Sequence, residues 1–390
     1  MKVKLKNFIE IVENGTRDKG GAVKKGIPSL GAEHLNSNGT INWSIEKMKY
    51  ISFELFNKMK TGIMKKDDVL IVKDGATTGK VAYVDDIPYN YSAINEHVFL
   101  LRPKKELLPK YLFYYLASKE GKQKVLFYFR GATVGGITKD FLNIDIPLTS
   151  ISEQKKIANI LDKVTNLIEL RKKQLEKLDI FSKALFVEMF GDPVENPKNW
   201  RKENLNKFIM YANNGLSRRG KDITGNIVLR LTELKNGYID YSKVNRMCIK
   251  ENEEKYLLKD NDVLFARVNG NPINVGRSAV FHIKSEKVYF NDHIIRIHFK
   301  EEYINNFFIS FLFNTNYGRV CVSKNIKTSA GQYTISQDGI SSLTFPIPPI
   351  ELQNQFAKKV EQIDKIKLSI QDSLNKLETL KKSLMQEYFS

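Results

Sequence analysis

The longest regular pattern of apolar positions lies in residues 151–190. There Ile157, Leu161, Val164, Ile168, Arg171, Leu175, Leu178, Ser182, Leu185 and Met189 follow one another in steps of four and three. That spacing is a heptad with mostly apolar a and d positions, which predicts a long helix with a helical partner. Gly191 and Pro193 mark its end, as a glycine followed by a proline should. The pattern returns after Pro346, Pro348 and Pro349 as Phe356, Val360, Ile363, Lys367, Ile370, Leu374, Leu377, Lys381, Leu384 and Tyr388. Each helix of about 40 residues spans about 60 Å. A full apolar stripe on each requires cover, and pairing the two helices supplies it at least cost. An antiparallel pair is the favoured arrangement. A parallel pair, or helices that each pack only on their own domain, are the alternatives. Arg171, Ser182, Lys367 and Lys381 interrupt the seams; they either fix register or mark a rim where the helices splay or a partner docks.

The stretches before the two helices also repeat. Strand-like runs DVLIVKDG and GKVAYVDD, the run NEHVFLLRP ending at Pro103, a helix over 107–124 and a strand ending at Pro147 make up the first. NDVLFARVNG, GRSAVFHI, FNDHIIRIHF and a helix near 305–315 answer them in the second. The order predicts an α+β fold of two similar mixed domains separated by an antiparallel coiled coil, related by an internal pseudo-two-fold repeat. The expected boundaries are 1–150 for the first domain, 151–191 for the central helix, 192–349 for the second domain and 350–390 for the C-terminal helix.

Charge changes this picture more than composition does. The apolar fraction of 42% is ordinary, but the formal net charge is +18 and the isoelectric point is near 9.5. Such an excess points to a polyanionic partner, nucleic acid before membrane, unless it reflects only a lysine-rich compositional bias. Cys248 and Cys321 form no metal-binding or disulfide pattern, which fits a reducing cytoplasm. No apolar run approaches the about 20 residues of a membrane span, and the N-terminus lacks a signal-peptide core.

Catalytic chemistry is not legible. The loop from Gly75 to Lys80 resembles a phosphate loop but is one residue short and has Val81 where a metal-binding hydroxyl belongs. His97 and His293 each follow an acidic residue at equivalent repeat positions; the simplest reading is a structural histidine bonded locally. No catalytic residue and no metal ligand set is expected.

Several segments together resemble the specificity subunit of type I restriction–modification systems. They are RGATVGGITKDFLNIDIPLTSISEQKKIANILD with its second copy TSAGQYTISQDGISSLTFPIPPIELQNQFAKKV, and DVLIVKDGATTGKVAYV with DVLFARVNG and VGRSAVF. The resemblance covers the whole chain, most specifically in the loop–proline–helix segment. It implies two target recognition domains, each reading one half of a split double-stranded DNA target, and a coiled-coil spacer. It also implies recruitment of two methyltransferase subunits, with two restriction subunits in the full complex and no activity of its own. S-adenosylmethionine, ATP and magnesium would belong to those partners. The alternative is a stand-alone sequence-specific or architectural DNA-binding protein with a coiled-coil spacer.

DNA contacts are expected from basic and small polar side chains in glycine-bearing loops. In the first domain these are Arg17, Lys19, Lys24, Lys25, Thr77, Thr78, Lys80, Arg130 and Thr133. In the second they are Arg218, Arg219, Lys221, Arg267, Asn269, Asn271, Lys324, Lys327, Gln332 and Tyr333.

Overall fold

The computed structural model describes residues 2–44, 46, 48–131, 135–329 and 331–390. The chain divides into two compact units, residues 1–173 with 371–390, and residues 174–370.

In the first unit, a four-stranded antiparallel sheet runs in the order Ile9–Asn14, Val98–Pro103, Val69–Val72, Val81–Tyr83. The central strand VLIV is buried at every position. The reason is alternation: successive side chains point to opposite faces, and both faces are covered. Val69 and Ile71 pack with Leu112 and Leu116 of a helical layer, while Leu70 and Val72 pack with Leu30 and Ile94 on the other side. Leu30 and Ile94 come from a small second sheet, in which Ile27–Leu30 lies antiparallel to Tyr50–Ile51 and parallel to Ala93–Ile94. Lys2–Lys4 pairs with Asp145–Pro147.

The second unit repeats this plan. Its sheet order is Ile209–Asn214, Ile294–Phe299, Val263–Ala266, Ser278–Val280. The first strand of each sheet carries an irregularity at the same place, between Ile9 and Ile11 and between Ile209 and Tyr211. Asn226–Leu229 lies between Asn245–Met247 and Val288–Phe290 with the same mix of directions. Lys202–Asn204 pairs with Thr344–Pro346.

The helix expected over 107–124 is two helices, Pro109–Ala117 and Lys119–Leu126. Ser118 makes the break: its Oγ donates to Tyr115 O and accepts from Gly121 N. A Cβ on Gly121 would sit 2.0 Å from Tyr115 O, so the close corner requires glycine. Thr315 does the same between Asn306–Asn314 and Asn316–Ser323, through Leu312 O and Gly318 N.

The long helices are Ile151–Phe190 and Ile350–Phe389. No seam residue predicted from the heptads is exposed: Ile157, Leu161, Val164, Ile168, Leu185, Phe356, Val360, Ile363 and Leu374 are buried, and Leu175, Leu178, Met189, Ile370, Leu377, Leu384 and Tyr388 are partly so. In each unit the helix sections run antiparallel. In the first, Ile157 and Leu161 share a cluster with Phe389, while further along Arg171 Nε donates to Ser373 Oγ at 3.3 Å. In the second, Asp179 meets Lys367 Nζ at 2.7 Å, and the Phe190 ring lies 5.2 Å from that of Phe356. Two seam interruptions, Arg171 and Lys367, thus reach across to the other helix, and Lys367 also pairs with Asp364 of its own helix. Ser182 Oγ instead donates to Leu178 O within its own helix, and burial pushes the half-buried Lys381 ammonium down. The helices also pack on their own units, so pairing and domain packing are both realised. Among the described residues no helix is long and apolar enough to cross a membrane.

A buried glutamine anchors each long helix. Gln154 Oε1 accepts from Leu108 N at 2.8 Å and its Nε2 donates to the carbonyls of Glu106 and Thr149. Gln353 does the same with Asn305 N at 2.9 Å and the carbonyls of Tyr303 and Pro348. Both side chains are fully buried, and they tie the first helical turn to the start of the shorter helix pair. Gln353→Leu strands one buried N–H and weakens two carbonyls, which costs about 1–3 kcal/mol. Urea unfolding of the full chain checks this; an unchanged midpoint would show that water replaces the amide.

Candidate nucleic-acid interface

The strand registers bring several loops to one end of each sheet. In the first unit Asn14 faces Phe99, Val72 faces Val98, and Ile71 faces Val81, so the loops after Asn14 and Val72 and the turn before Val98 emerge together. Backbone bonds lock them: Gly15 N to Asn95 O, Lys73 N to His97 O, and Ile137 N to Lys73 O. The last bond adds the hairpin Phe129–Arg130 with Gly136–Ile137. The second unit builds the same end. Asp292 N bonds Leu216 O, Arg267 N bonds His293 O, and Ile335 N bonds Arg267 O. Lys327–Ser329, Gln332–Thr334 and Val268–Asn269 form its hairpin sheet.

Of the residues expected at DNA, the structure brings Arg17, Thr77, Thr78, Lys80 and Arg130 into these connected loops in the first unit. Thr133 lies outside the described residues. Thr78 Oγ1 donates to Gly75 O, and Arg130 donates to the carbonyls of Phe127 and Phe129, so both shape their own turns. Lys24 and Lys25 lie further off, beside the bridge of Val23 to Tyr50, at the edge of the small sheet. Lys19, Lys24 and Lys25 are exposed, and no ion pair involving them occurs among the described residues.

In the second unit Arg219, Arg267, Asn269, Asn271, Lys327, Gln332 and Tyr333 fall in the corresponding loops. The Asn269 and Asn271 side chains accept from Asn271 N and Ile273 N, and so hold the turn. Lys221 lies near the small sheet, next to Asp222, whose N–H bonds Arg246 O. Lys324 caps the helix Asn316–Ser323.

Arg218 is committed elsewhere. It grips both Glu253 oxygens, at 2.8 and 2.6 Å, and donates to Cys248 O. Those guanidinium hydrogen bonds hold the Glu253 carboxyl down at about 2. A depressed carboxyl stabilises the fold above its ordinary value of 4.5, and this is lost as pH falls from there towards 2. Arg218→Met should therefore lower the melting temperature at neutral pH and flatten its fall between those limits. Parallel melting curves for both proteins from pH 7 to 2.5 would reject the pair's role.

The histidines have local partners. His97 Nδ1 lies 2.5 Å from Asp74 Oδ1, and His293 Nε2 lies 3.2 Å from Arg219 Nη2. What the sequence reading did not foresee is a partner for the acidic residue before each. Arg17 Nε is 2.8 Å from Glu96 Oε1, and Arg219 Nη1 is 2.8 Å from Asp292 Oδ1. Lys73 and Arg267 donate to the carbonyls of those same two residues. Among the described residues no cluster of side chains suits a metal ion.

The model of the type I restriction modification DNA specificity domain matches this chain twice, over residues 1–179 and 202–379. The chain belongs to that family. Within the specificity family, it is 29% identical over 350 residues to the type I restriction enzyme StySPI specificity subunit of Salmonella potsdam, a match spanning 84% of this chain and 74% of the relative. It is 24% identical over 349 residues to the EcoKI specificity subunit of Escherichia coli strain K12, spanning 84% and 75%. The S subunit of a type I system from M. genitalium has the same fold, with a TM-score of 0.62 at 15% identity over 100% of this chain and 96% of that one. A chain solved in work on complex assembly and conformational transition of the type I system gives 0.57 at 15% identity, over 100% and 97%. As a specificity subunit, the chain has a non-catalytic role.

Proposed function

We propose that this chain selects the DNA target of a type I restriction–modification complex. It binds a bipartite double-stranded site, one half at the loop-bearing sheet end of each unit. The observation that carries this reading is that the two ends share strand register and backbone bonding while their loops differ in sequence. Equal frames with different loops suit two different half-sites. The net charge of +18 supplies the attraction for phosphate.

Methyltransferase and restriction subunits join the chain, and S-adenosylmethionine, ATP and magnesium enter with them. The repeat that aligns Ile157 with Phe356 also aligns Leu167 with Ile366 and Phe181 with Leu380. All four are exposed apolar residues at positions flanking the seam, Leu167 and Leu380 in the first unit, Phe181 and Ile366 in the second. A surface presented twice suits two copies of one methyltransferase. The paired helices set the unread length between half-sites, so removing one heptad from each should change it by about 10.5 Å, near three base pairs.

Methylation mapping of DNA from cells that express the chain with its methyltransferase tests the reading. The expected result is one asymmetric two-part sequence with a fixed gap; methylation without sequence preference, or at a single undivided site, overturns it. Replacing Lys19, Lys24 and Lys25 by alanine should weaken binding alike on all sequences. The salt slope should fall by about one for each lysine that touches a phosphate. An unchanged slope would remove these three from the interface.

A further inference from the structure

We propose that Glu96 and Asp292 are positioning residues that hold Arg17 and Arg219 for reading a guanine in each half-site. This rests on the reading that the loop-bearing ends face DNA.

The two arrangements share a partly buried carboxylate beneath an exposed arginine. Each carboxylate sits low, with its side chain 25% exposed for Glu96 and 23% for Asp292. Each arginine stands above it, at 64% and 57%. Both Glu96 oxygens and Asp292 Oδ1 are buried and accept no hydrogen bond of good geometry. The guanidinium at 2.8 Å is the nearest cation to each charge, and His97 Nε2 lies 3.3 Å from Glu96 Oε1 as a second, longer contact. The carboxylates are equivalent in the repeat, each preceding the histidine and each giving its carbonyl to Lys73 or Arg267. The arginines are not: Arg17 is two residues after Gly15, Arg219 four after Gly215. Loops of different form have arrived at the same pairing, which marks the pairing and not the loop as the common requirement.

The chemistry favours a base edge over a phosphate. An arginine already paired with a carboxylate offers little net charge, and the carboxylate repels a phosphate brought beside it. A guanine edge is neutral and presents two acceptors, O6 and N7, that match two guanidinium N–H groups. Arg17 approaches Glu96 through Nε, and among the described residues its two terminal nitrogens make no hydrogen bond. Arg219 gives Nη1 to Asp292 and Ser217 O and meets His293 through Nη2, leaving Nε and one further N–H. A carboxylate behind the fork also fixes its orientation, removing rotamer freedom that binding would otherwise have to remove. Lys19, Lys24 and Lys25, exposed and without an ion pair among the described residues, suit phosphates instead.

The test uses the full chain with its methyltransferase, on duplexes carrying the mapped target and single-base variants of it. Glu96→Gln should lower discrimination for a guanine in one half-site about tenfold and leave the other unchanged; Asp292→Asn should do the reverse. Arg17→Ala with Glu96→Gln should discriminate no worse than Arg17→Ala alone. Replacing that guanine by 7-deazaguanine, which lacks the N7 acceptor but keeps O6, should narrow the difference between wild type and Arg17→Ala. Melting temperatures are measured alongside, and a loss that tracks melting and not sequence would mean a purely structural pair. If Arg17→Ala and Arg219→Ala leave binding intact, the assignment of these ends to DNA fails. If they weaken it but the carboxylate variants do not, only the positioning role fails. A uniform loss on all sequences with a reduced salt slope would make the arginines phosphate contacts and overturn the guanine assignment.

Discussion

Phe356→Ala should destabilise the second unit by about 3–5 kcal/mol, because it removes a large buried side chain from a site that cannot collapse. Phe356 is 0% exposed, and its ring lies 5.5 Å from Phe186, 5.2 Å from Phe190 and 5.0 Å from Phe311. Phe308 closes the group against Phe190 at 4.9 Å. These rings come from both long helices and from the helix Asn306–Asn314, so the cavity has three walls held by separate backbone elements. Edge-on ring contacts add about 0.5–1.5 kcal/mol per pair beyond area, and three of them vanish together. Phe356→Leu keeps most of the volume and should cost well under half as much. Hydrogen exchange in urea resolves the units: amides of residues 263–266 and 294–299 should lose protection, and those of 69–72 and 98–103 should keep it. A loss below about 1 kcal/mol would mean that the aromatic group relaxes around the gap.

That aromatic group also shows what periodicity could not reveal. A heptad reading selects two positions in seven, and Phe186 and Phe190 fall outside them. They are buried because the last turns of the first long helix face its own unit as well as the other helix. The seam itself was legible because one amphipathic stripe sustained for many turns has few competing explanations. The central strands were legible too, as unbroken apolar runs. What covers their second face was not: Ile27–Leu30 and Ala93–Ile94 are too short and too widely separated in sequence to announce a small sheet. The single helix expected over 107–124 failed at Ser118. Serine is tolerated within helices, and only the close approach of Gly121 to Tyr115 O shows why the chain turns there.

At the candidate site, loop composition picked residues that the fold gathers largely at one end of each sheet, but it could not sort their charges. Arg218 and Arg219 are adjacent and chemically identical, yet one is tied to Glu253 and the other stands over Asp292. The difference depends on residues 35 and 73 positions away, which no local pattern encodes. The repeated Asn95-Glu96-His97 and Asn291-Asp292-His293 drew notice to the histidines, since histidine is the commoner functional residue. The carboxylates gained their interest only when the loops bearing Arg17 and Arg219 were placed over them. A basic surface invites a search for cations, and its few buried acids are then easily passed over.

The same contrast between paired and unpaired charge gives the second large effect. Arg102→Ala should cost the first unit about 3–5 kcal/mol at neutral pH, because it leaves the Asp68 carboxylate buried without its cation. Asp68 is 0% exposed, and Arg102 grips it through Nε at 2.7 Å and Nη2 at 2.8 Å. Lys65 N also donates to it, which holds the turn before Val69–Val72. Burial raises the Asp68 carboxyl above its ordinary value even with Arg102 in place. Without the guanidinium it should rise further. A carboxyl raised in the folded state favours folding most when protonated, below its unfolded value, and that advantage is lost as pH climbs through the folded value. The deficit of Arg102→Ala should therefore be largest at neutral pH and shrink as the solution is acidified. Arg102→Ala with Asp68→Asn should recover part of the loss at neutral pH, since it removes the stranded charge. The second unit offers an internal control. Its equivalent acid, Asp262, is shared among His298 at 2.9 Å, Tyr211 at 3.2 Å and Arg296 at 3.6 Å. No one of these bears the whole charge, so His298→Ala should cost less than Arg102→Ala. Urea unfolding at pH 7 and pH 5 decides the matter. An Arg102→Ala deficit that stays constant or grows on acidification would show that the loss is one of packing and not of charge.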